Sequence, residues 1–409
     1  MLLRIRPIAR VSAILFVGVM LAVFVLGVTL DRITARPKPQ IALAWNPGSA
    51  DANARAGRLL LEHMTAGMKE QIRSYGMRSL TRQPVNAAAP TLLAIVASLD
   101  GKKQQAERLV RYAETMSRRD VPTEMWLIEH NVQRGDIPNA LVHYDRALRT
   151  NDQTRDILFP ILNQAVSDPE IARPMAMFLA RRPVWGRPFM TQYVPVSTSP
   201  NALYTFARGL KLDRAPTPDP TMLQAIEKRL VDLYAYQQSA ALYNRAHGLP
   251  ADDRTPIRNG GFEQPGNWDP FDWNLIDDEN LAGLRQPSPA SKGGTALFPF
   301  AANGRGGDVA VQLTLLPPGN YAITARVGGT RGDPLAFPQL VVRCARDGRE
   351  VLHAAFPPSP DAGQSWRVGF TIPSNCTAQR IVVRAASGID GQVTAPWIDD
   401  ISVRPLGGR

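Results

Sequence analysis

The feature that most constrains this chain is the apolar run at residues 11–30, VSAILFVGVMLAVFVLGVTL, which has no charged residue between Arg10 and Asp31. Twenty helical residues at about 1.5 Å each span roughly 30 Å, the hydrocarbon thickness of a bilayer. A cleaved secretory signal is the competing reading, but it wants a shorter apolar core followed by a small-x-small site. Here Gly27-Val28-Thr29-Leu30 leads into Asp31-Arg32 instead. The run therefore reads as an uncleaved, single-pass transmembrane helix. Arg4, Arg6 and Arg10 precede it, and Arg32, Arg36 and Lys38 follow it, partly offset by Asp31. The amino terminus tips this near-tie towards an N-terminus in the cytoplasm, and a long downstream body is translocated largely regardless of its own charge. The expected location is the inner (cell) membrane, with residues 1–10 cytoplasmic and the body periplasmic.

The rest of the 409-residue chain is too long for one ordinary domain. The formal charge is +11, and its excess belongs to the membrane flank and to the stretch up to residue 255. From residue 256 onward 14 basic residues balance 14 acidic ones. A basic face near a bilayer suits anionic lipid or an acidic polymer, but charge runs are usually a solvated helical surface, and that is the preferred reading. No basic cluster with interleaved aromatics is present, so nucleic acid is not an expected partner. The two cysteines, Cys344 and Cys376, both lie in the C-terminal part. In an oxidising compartment they read as one structural disulfide, the alternative being two buried free thiols.

After a proline-rich link, residues 50–249 carry helical periodicity and a 34-residue repeat. Leu92 and Trp126, Gly101 and Gly135, Ala106 and Ala140, and Ala113 and Ala147 each stand 34 apart. Small Ala residues let paired helices approach, and a glycine permits the tight turn between them. The segment WLIEHNVQRGDIPNALVHYDRAL at 126–148 resembles the tetratricopeptide repeat. That resemblance implies a helical solenoid with a protein partner on its face. A preceding unit covers 90–116, and an earlier one begins at Ala50. Stepping 34 residues forward places Pro169 at the turn and Pro174 where Ala belongs, which breaks the register. Prolines at 183, 188, 195, 200, 216, 218 and 220 predict an irregular stretch at 183–220, with one short helix at 201–211. Helix returns at 221–247, where Tyr234, Tyr236 and Tyr243 read as core.

A polar linker at 250–256 precedes a change of composition. Short alternating runs at 309–315, 320–327, 339–344, 366–372, 379–384 and 397–403 predict strands, and with Gly/Pro turns they predict an antiparallel sandwich. Asn259-Gly260-Gly261-Phe262-Glu263, Phe271-Asp272-Trp273, Lys292-Gly293-Gly294, Leu316-Pro317-Pro318-Gly319 and Trp397-Ile398-Asp399-Asp400 follow in order. In order and spacing they resemble the jelly-roll carbohydrate-binding modules and galactose-binding-like domains, over residues 257–405. The resemblance implies a structural Ca2+ held by Glu263 and Asp399, with Asp400 as an alternative ligand; ordinary turn and edge carboxylates are the competing reading. It also implies glycan contact through aromatic faces, for which Trp268, Phe271, Trp273 and Trp366 are the candidates. Trp268 stands in a loop sequence, whereas Trp273 and Trp397 sit inside motif segments and suit a core.

The five histidines form no metal-spaced pair, and neither a Gly-x-Ser-x-Gly elbow nor a phosphate-binding loop occurs. The acidic pairs at Asp277-Asp278-Glu279 and Asp399-Asp400 carry no mark of a glycosidase cleft. The expected whole is a multidomain α plus β chain: transmembrane helix, tetratricopeptide-like solenoid and C-terminal jelly roll. Its expected role is that of a non-catalytic envelope scaffold in surface or extracellular polysaccharide assembly or export. A structural protein with a protein-binding sandwich, or a polysaccharide-active enzyme, are the alternatives.

Overall fold

In the computed structural model, residues 5–62, 65–266, 268–290, 293–302, 305–386 and 395–407 are described. Lys292 of the expected glycine turn and residues 1–4 of the expected cytoplasmic segment lie outside them. Fourteen α-helices among these residues precede two antiparallel sheets. The chain divides into two compact units, residues 1–162 with 183–185, and residues 163–182 with 186–409. The division falls inside the helical region.

In the first unit, α1 (Ile5–Thr34) contains a 21-residue stretch, Ile14–Thr34, with mean hydropathy 2.5 and no buried position. It is long and apolar enough to cross a membrane. The helices α2 (Pro39–Trp45), α3 (Ala50–Glu62), α4 (Lys69–Arg82), α5 (Ala88–Leu99), α6 (Lys103–Met116), α7 (Val121–Gln133) and α8 (Ile137–Thr150) follow, and α9 (Thr154–Ala165) crosses the boundary. The 34-residue pairs do what their spacing requires. Gly101 and Gly135 take φ of +75° and +72° at equivalent hairpin turns, a region glycine enters without Cβ strain. Ala106, Ala113, Ala140 and Ala147 are buried where the paired helices touch. Trp126 Nε1 donates to Ser98 Oγ across α5 and α7 (3.0 Å).

The second unit opens with α10 (Pro169–Leu179), α11 (Gly186–Val196), α12 (Pro200–Gly209), α13 (Pro220–Asp232) and α14 (Tyr236–Ala246). The stretch expected to be irregular thus holds two helices. Pro169, Pro200 and Pro220 begin helices instead of breaking them. The first helical turn has spare N–H groups, so proline costs nothing there, and its fixed φ suits the helix. Asp168, Ser199 and Asp219 cap the same three helices by accepting from backbone N–H groups.

The strands are β1 (Asn274–Leu275), β2 (Leu281–Pro287), β3 (Thr295–Ala301), β4 (Gly306–Thr314), β5 (Gly319–Gly328), β6 (Gln339–Cys344), β7 (Glu350–Ala355), β8 (Gln364–Ile372), β9 (Gln379–Ala386) and β10 (Trp397–Pro405). The first sheet runs β1-β4-β9-β6-β7 and the second β2-β3-β10-β5-β8. Every one of the six expected strands is present. The other four escaped notice because β1 has two residues, β3 contains Pro299, β2 lacks alternation, and β7 is an exposed edge strand. Phe262, Trp273, Leu297, Ile323, Val342 and Val383 fill the space between the sheets. Cys344, at the end of β6, is bonded to Cys376 across 32 residues of sequence, and both sulfurs lie in that core.

Candidate functional site

The aromatic side chains singled out from the sequence do not gather on one exposed face. Trp273 is buried against Phe262, ring centroids 5.2 Å apart, in the sandwich core. Trp366, half-buried on β8, packs edge-on to Phe356 at 4.7 Å. Phe271 is buried against Tyr243 of α14 at 5.0 Å. Trp268 is not the free loop residue its neighbours suggest. Its Nε1 donates to Glu227 Oε2 of α13 (2.5 Å), and its ring meets His247 and Tyr243. A loop rich in Pro, Gly and Trp reads as a platform until a helix face is laid over it, and α13 with α14 supplies that face.

This helix–sandwich seam is tightly polar as well as aromatic. Tyr243 Oη donates to Asp272 (2.7 Å), and Arg258 stacks over the Tyr243 ring at 5.0 Å while donating to Asn244 and Asp253. Burial and the Asp272 carboxylate raise the Tyr243 phenol well above its ordinary value. Glu227 is fully buried, and Trp268 donates to its Oε2; Oε1 has no hydrogen-bond partner among the described residues. Burial pushes its carboxyl up to about 8, and the charge of Asp272 adds to the rise, so it is held as the neutral acid near neutral pH.

The carboxylates expected to hold Ca2+ do approach one another. Gly260 lies so close to β10 that a Cβ there would sit 1.9 Å from the Ile401 carbonyl oxygen. Ile401 N donates to Gly260 O (2.9 Å), so the opening segment is clamped to the last strand. Around Gly261, a Cβ position would stand 3.5 Å from Asp399 Oδ1, 3.6 Å from Asp400 Oδ1 and 3.7 Å from Glu263 Cγ. Asp399 is buried and accepts from Ser288 Oγ (2.9 Å) and from the Asp400 backbone N–H (2.8 Å). Burial raises its carboxyl, and the neighbouring Asp400 and Glu263 charges add to the rise. Glu263 accepts from Thr295 N at 3.2 Å. Among the described residues, no group of three or more His, Cys, Asp or Glu side chains is drawn close enough to form a metal cage by itself. A hard cation here would complete its shell with backbone carbonyls and water.

No protein-family model matches the chain, and no curated protein matches it. Among solved structures, the enzymatically active domain of bacteriophage CBA120 tailspike protein 4 aligns with 37% of this chain at 13% identity and a TM-score of 0.29. The chain covers 22% of that protein's length. A CBM4 module aligns with 37% of this chain and 99% of its own length, at 15% identity and a TM-score of 0.29. Pseudomonas aeruginosa pilF aligns with 50% of this chain and 78% of its own length, at 16% identity and a TM-score of 0.24.

The residues that sequence reasoning missed lie on the outer face of the first sheet. A recess of about 560 Å³ is lined there by Arg343, Arg380, Asp308, Asn274, Val311 and Val382, among others. The strand period puts Leu340, Val342, Ile381 and Val383 on the core side, so Val341, Arg343, Arg380 and Val382 face outward. Leu313 joins Phe271 and Tyr243 at one end, where α14 bounds the face. Arg343 donates to Asp308 (2.8 Å) and Glu350 (3.2 Å), and Arg384 also reaches Asp308. The signal was present as arginines alternating with valines in β6 and β9, but alternation alone does not tell a solvated face from a binding face. Tyr234, expected as core, is 56% exposed at the turn between α13 and α14, with the Arg346 guanidinium 5.2 Å from its ring centroid.

Proposed function

We propose that this protein is a membrane-anchored, non-catalytic scaffold of the cell envelope, with its body on the periplasmic side. Its tetratricopeptide-like helices hold a protein partner, its sandwich contacts glycan, and the process served is surface or extracellular polysaccharide assembly or export. The observation that carries this reading is the succession on one chain of a membrane-length helix, glycine-turned helical hairpins and a two-sheet sandwich whose outer face is recessed. Solenoids of this kind present extended surfaces to protein partners, and a recess rich in side-chain donors suits hydroxyl-bearing ligands. The full chain in lipid nanodiscs, applied to an array of bacterial surface polysaccharides, is expected to retain a subset of them. No retention across the array removes the glycan role and leaves a sandwich that binds protein.

A structural Ca2+ at Glu263 and Asp399, with Asp400 beside them, belongs to the same proposal. A hard cation would offset the burial and, to a lesser extent, the carboxylate repulsion that raise Asp399, and would tie the first segment of the sandwich to its last strand. At about 100-fold excess over its Kd, a bound ion stabilises the folded state by about 2.7 kcal/mol. Thermal unfolding of the full chain is therefore expected to shift upward by several degrees in millimolar Ca2+ and to return with chelator. Asp399→Asn is expected to abolish the shift. An unchanged midpoint in the native sequence makes these groups ordinary edge carboxylates.

A further inference from the structure

We infer that the outer face of the first sheet takes an acidic glycan, a polymer bearing uronate-type carboxylates, with Arg380 as its carboxylate ligand and Tyr234 as a stacking platform. The inference rests on the reading of the sandwich as a glycan-contacting module and names the ligand class.

Arg380 on β9 stands directly opposite Arg343 on β6 in the antiparallel register. Like charges placed so are destabilising, and the sheet relieves only one of them. Arg343 is neutralised by Asp308 and Glu350. Arg380 is exposed and makes no ion pair among the described residues. The next pair along the same two strands, Val382 and Val341, forms a buried apolar floor. Arginine offers planar, two-pronged donation matched to a carboxylate.

The occupant follows from what the face can and cannot offer. It lies on a sheet surface, where backbone groups are already paired in the β4–β9–β6 ladder. An acidic peptide recognised through its main chain would need an open edge. A sugar acid needs side-chain donors for its carboxylate, polar side chains for its hydroxyls and a flat apolar surface for its ring. Arg380 and Asn274 supply the first two. At the α14 end, the buried Tyr236 hydroxyl has no hydrogen-bond partner among the described residues; burial raises it, and it lies in the field of Arg380, Arg346 and Asp347 together. Arg346 stacks in turn on exposed Tyr234. Of the charges lining the recess, Asp308 is paired with Arg343 and Asp269 with Lys228, which leaves Arg380 without a counter-ion among the described residues. Tyr234 is exposed beside Arg346, and its ring face away from that guanidinium is where a pyranose would stack.

Binding of oligogalacturonate, xylohexaose and poly-L-glutamate to the full chain in nanodiscs, measured at two salt concentrations, tests this. Oligogalacturonate is expected to bind, weakening with salt. Arg380→Gln is expected to weaken it by about 10-fold or more, the loss of one charge-assisted hydrogen-bonded contact, and Arg380→Lys by less. Tyr234→Ala is expected to weaken it with the salt dependence retained. Both positions are exposed, and unchanged melting curves identify variants that still fold. Xylohexaose binding that ignores Arg380→Gln, with no uronate binding, overturns the acidic inference and leaves the glycan reading standing. Poly-L-glutamate competing as well as the uronate replaces the glycan by an acidic peptide. Failure of all three ligands overturns the acidic inference, and the polysaccharide array decides the glycan reading separately.

Discussion

Replacing Cys344 and Cys376 together by serine is expected to lower the stability of the sandwich-bearing unit by about 3 kcal/mol. The bond closes a 32-residue separation that contains β7 and β8. Restricting a loop of that length in the unfolded chain is worth roughly 3–4 kcal/mol in the chain-entropy account. Serine also leaves two hydroxyls in a core where both sulfurs are almost wholly buried. Urea unfolding of the full chain, followed by tryptophan emission, reads the loss as a lower midpoint. The pair also reports compartment, since such bonds persist in oxidising surroundings. In cells quenched and denatured before labelling, the two cysteines are expected to resist maleimide until a reductant is added. Immediate labelling of both would place the body in the cytoplasm and remove the periplasmic scaffold reading.

Glu227→Gln is expected to stabilise the same unit at neutral and alkaline pH by about 3 kcal/mol near pH 7, and to flatten its pH profile. The folded-state carboxyl sits at about 8 against an ordinary 4.5. Below the ordinary value both states are protonated, and burial costs nothing through ionisation. As pH rises towards 8 the unfolded chain ionises while the folded one stays neutral, so stability falls throughout that window. Each pH unit within it is worth about 1.4 kcal/mol. Asp272 opposes ionisation, Trp268 Nε1 favours it, and Lys228 is engaged with Asp269 at 2.8 Å. Glutamine keeps an acceptor for Trp268 without the ionisable proton. Midpoints measured from pH 4 to pH 9 give the slope directly, and an equally steep decline in the glutamine variant would assign it to other groups.

Much of the helical region was legible because its signals are local. Gly101 and Gly135 repeat at the period at which they turn the chain, and the alanines between them mark where helices touch. The prolines misled because proline acts in opposite ways by position. Pro200 and Pro220 follow a capping Ser or Asp, a pattern that marks a helix start as firmly as a break. Among the strands, those with alternating Val and Ile were visible, while Pro299 and the polar edge of β7 hid two others.

The sequence by itself determined the membrane-length helix, the hairpin repeat and the antiparallel sandwich, since each depends on spacing along the chain. The tertiary structure alone decided which side chains are free. Trp268 and Phe271 stand in a loop-like stretch, yet α13 and α14 cover them. Tyr234 falls two residues before buried Tyr236, yet it points to solvent. Arg380 and Arg343 lie 37 positions apart in sequence and face each other only because β9 pairs with β6. Burial and cross-strand charge are properties of neighbours brought together by folding, and periodicity along one strand or helix carries no information about them.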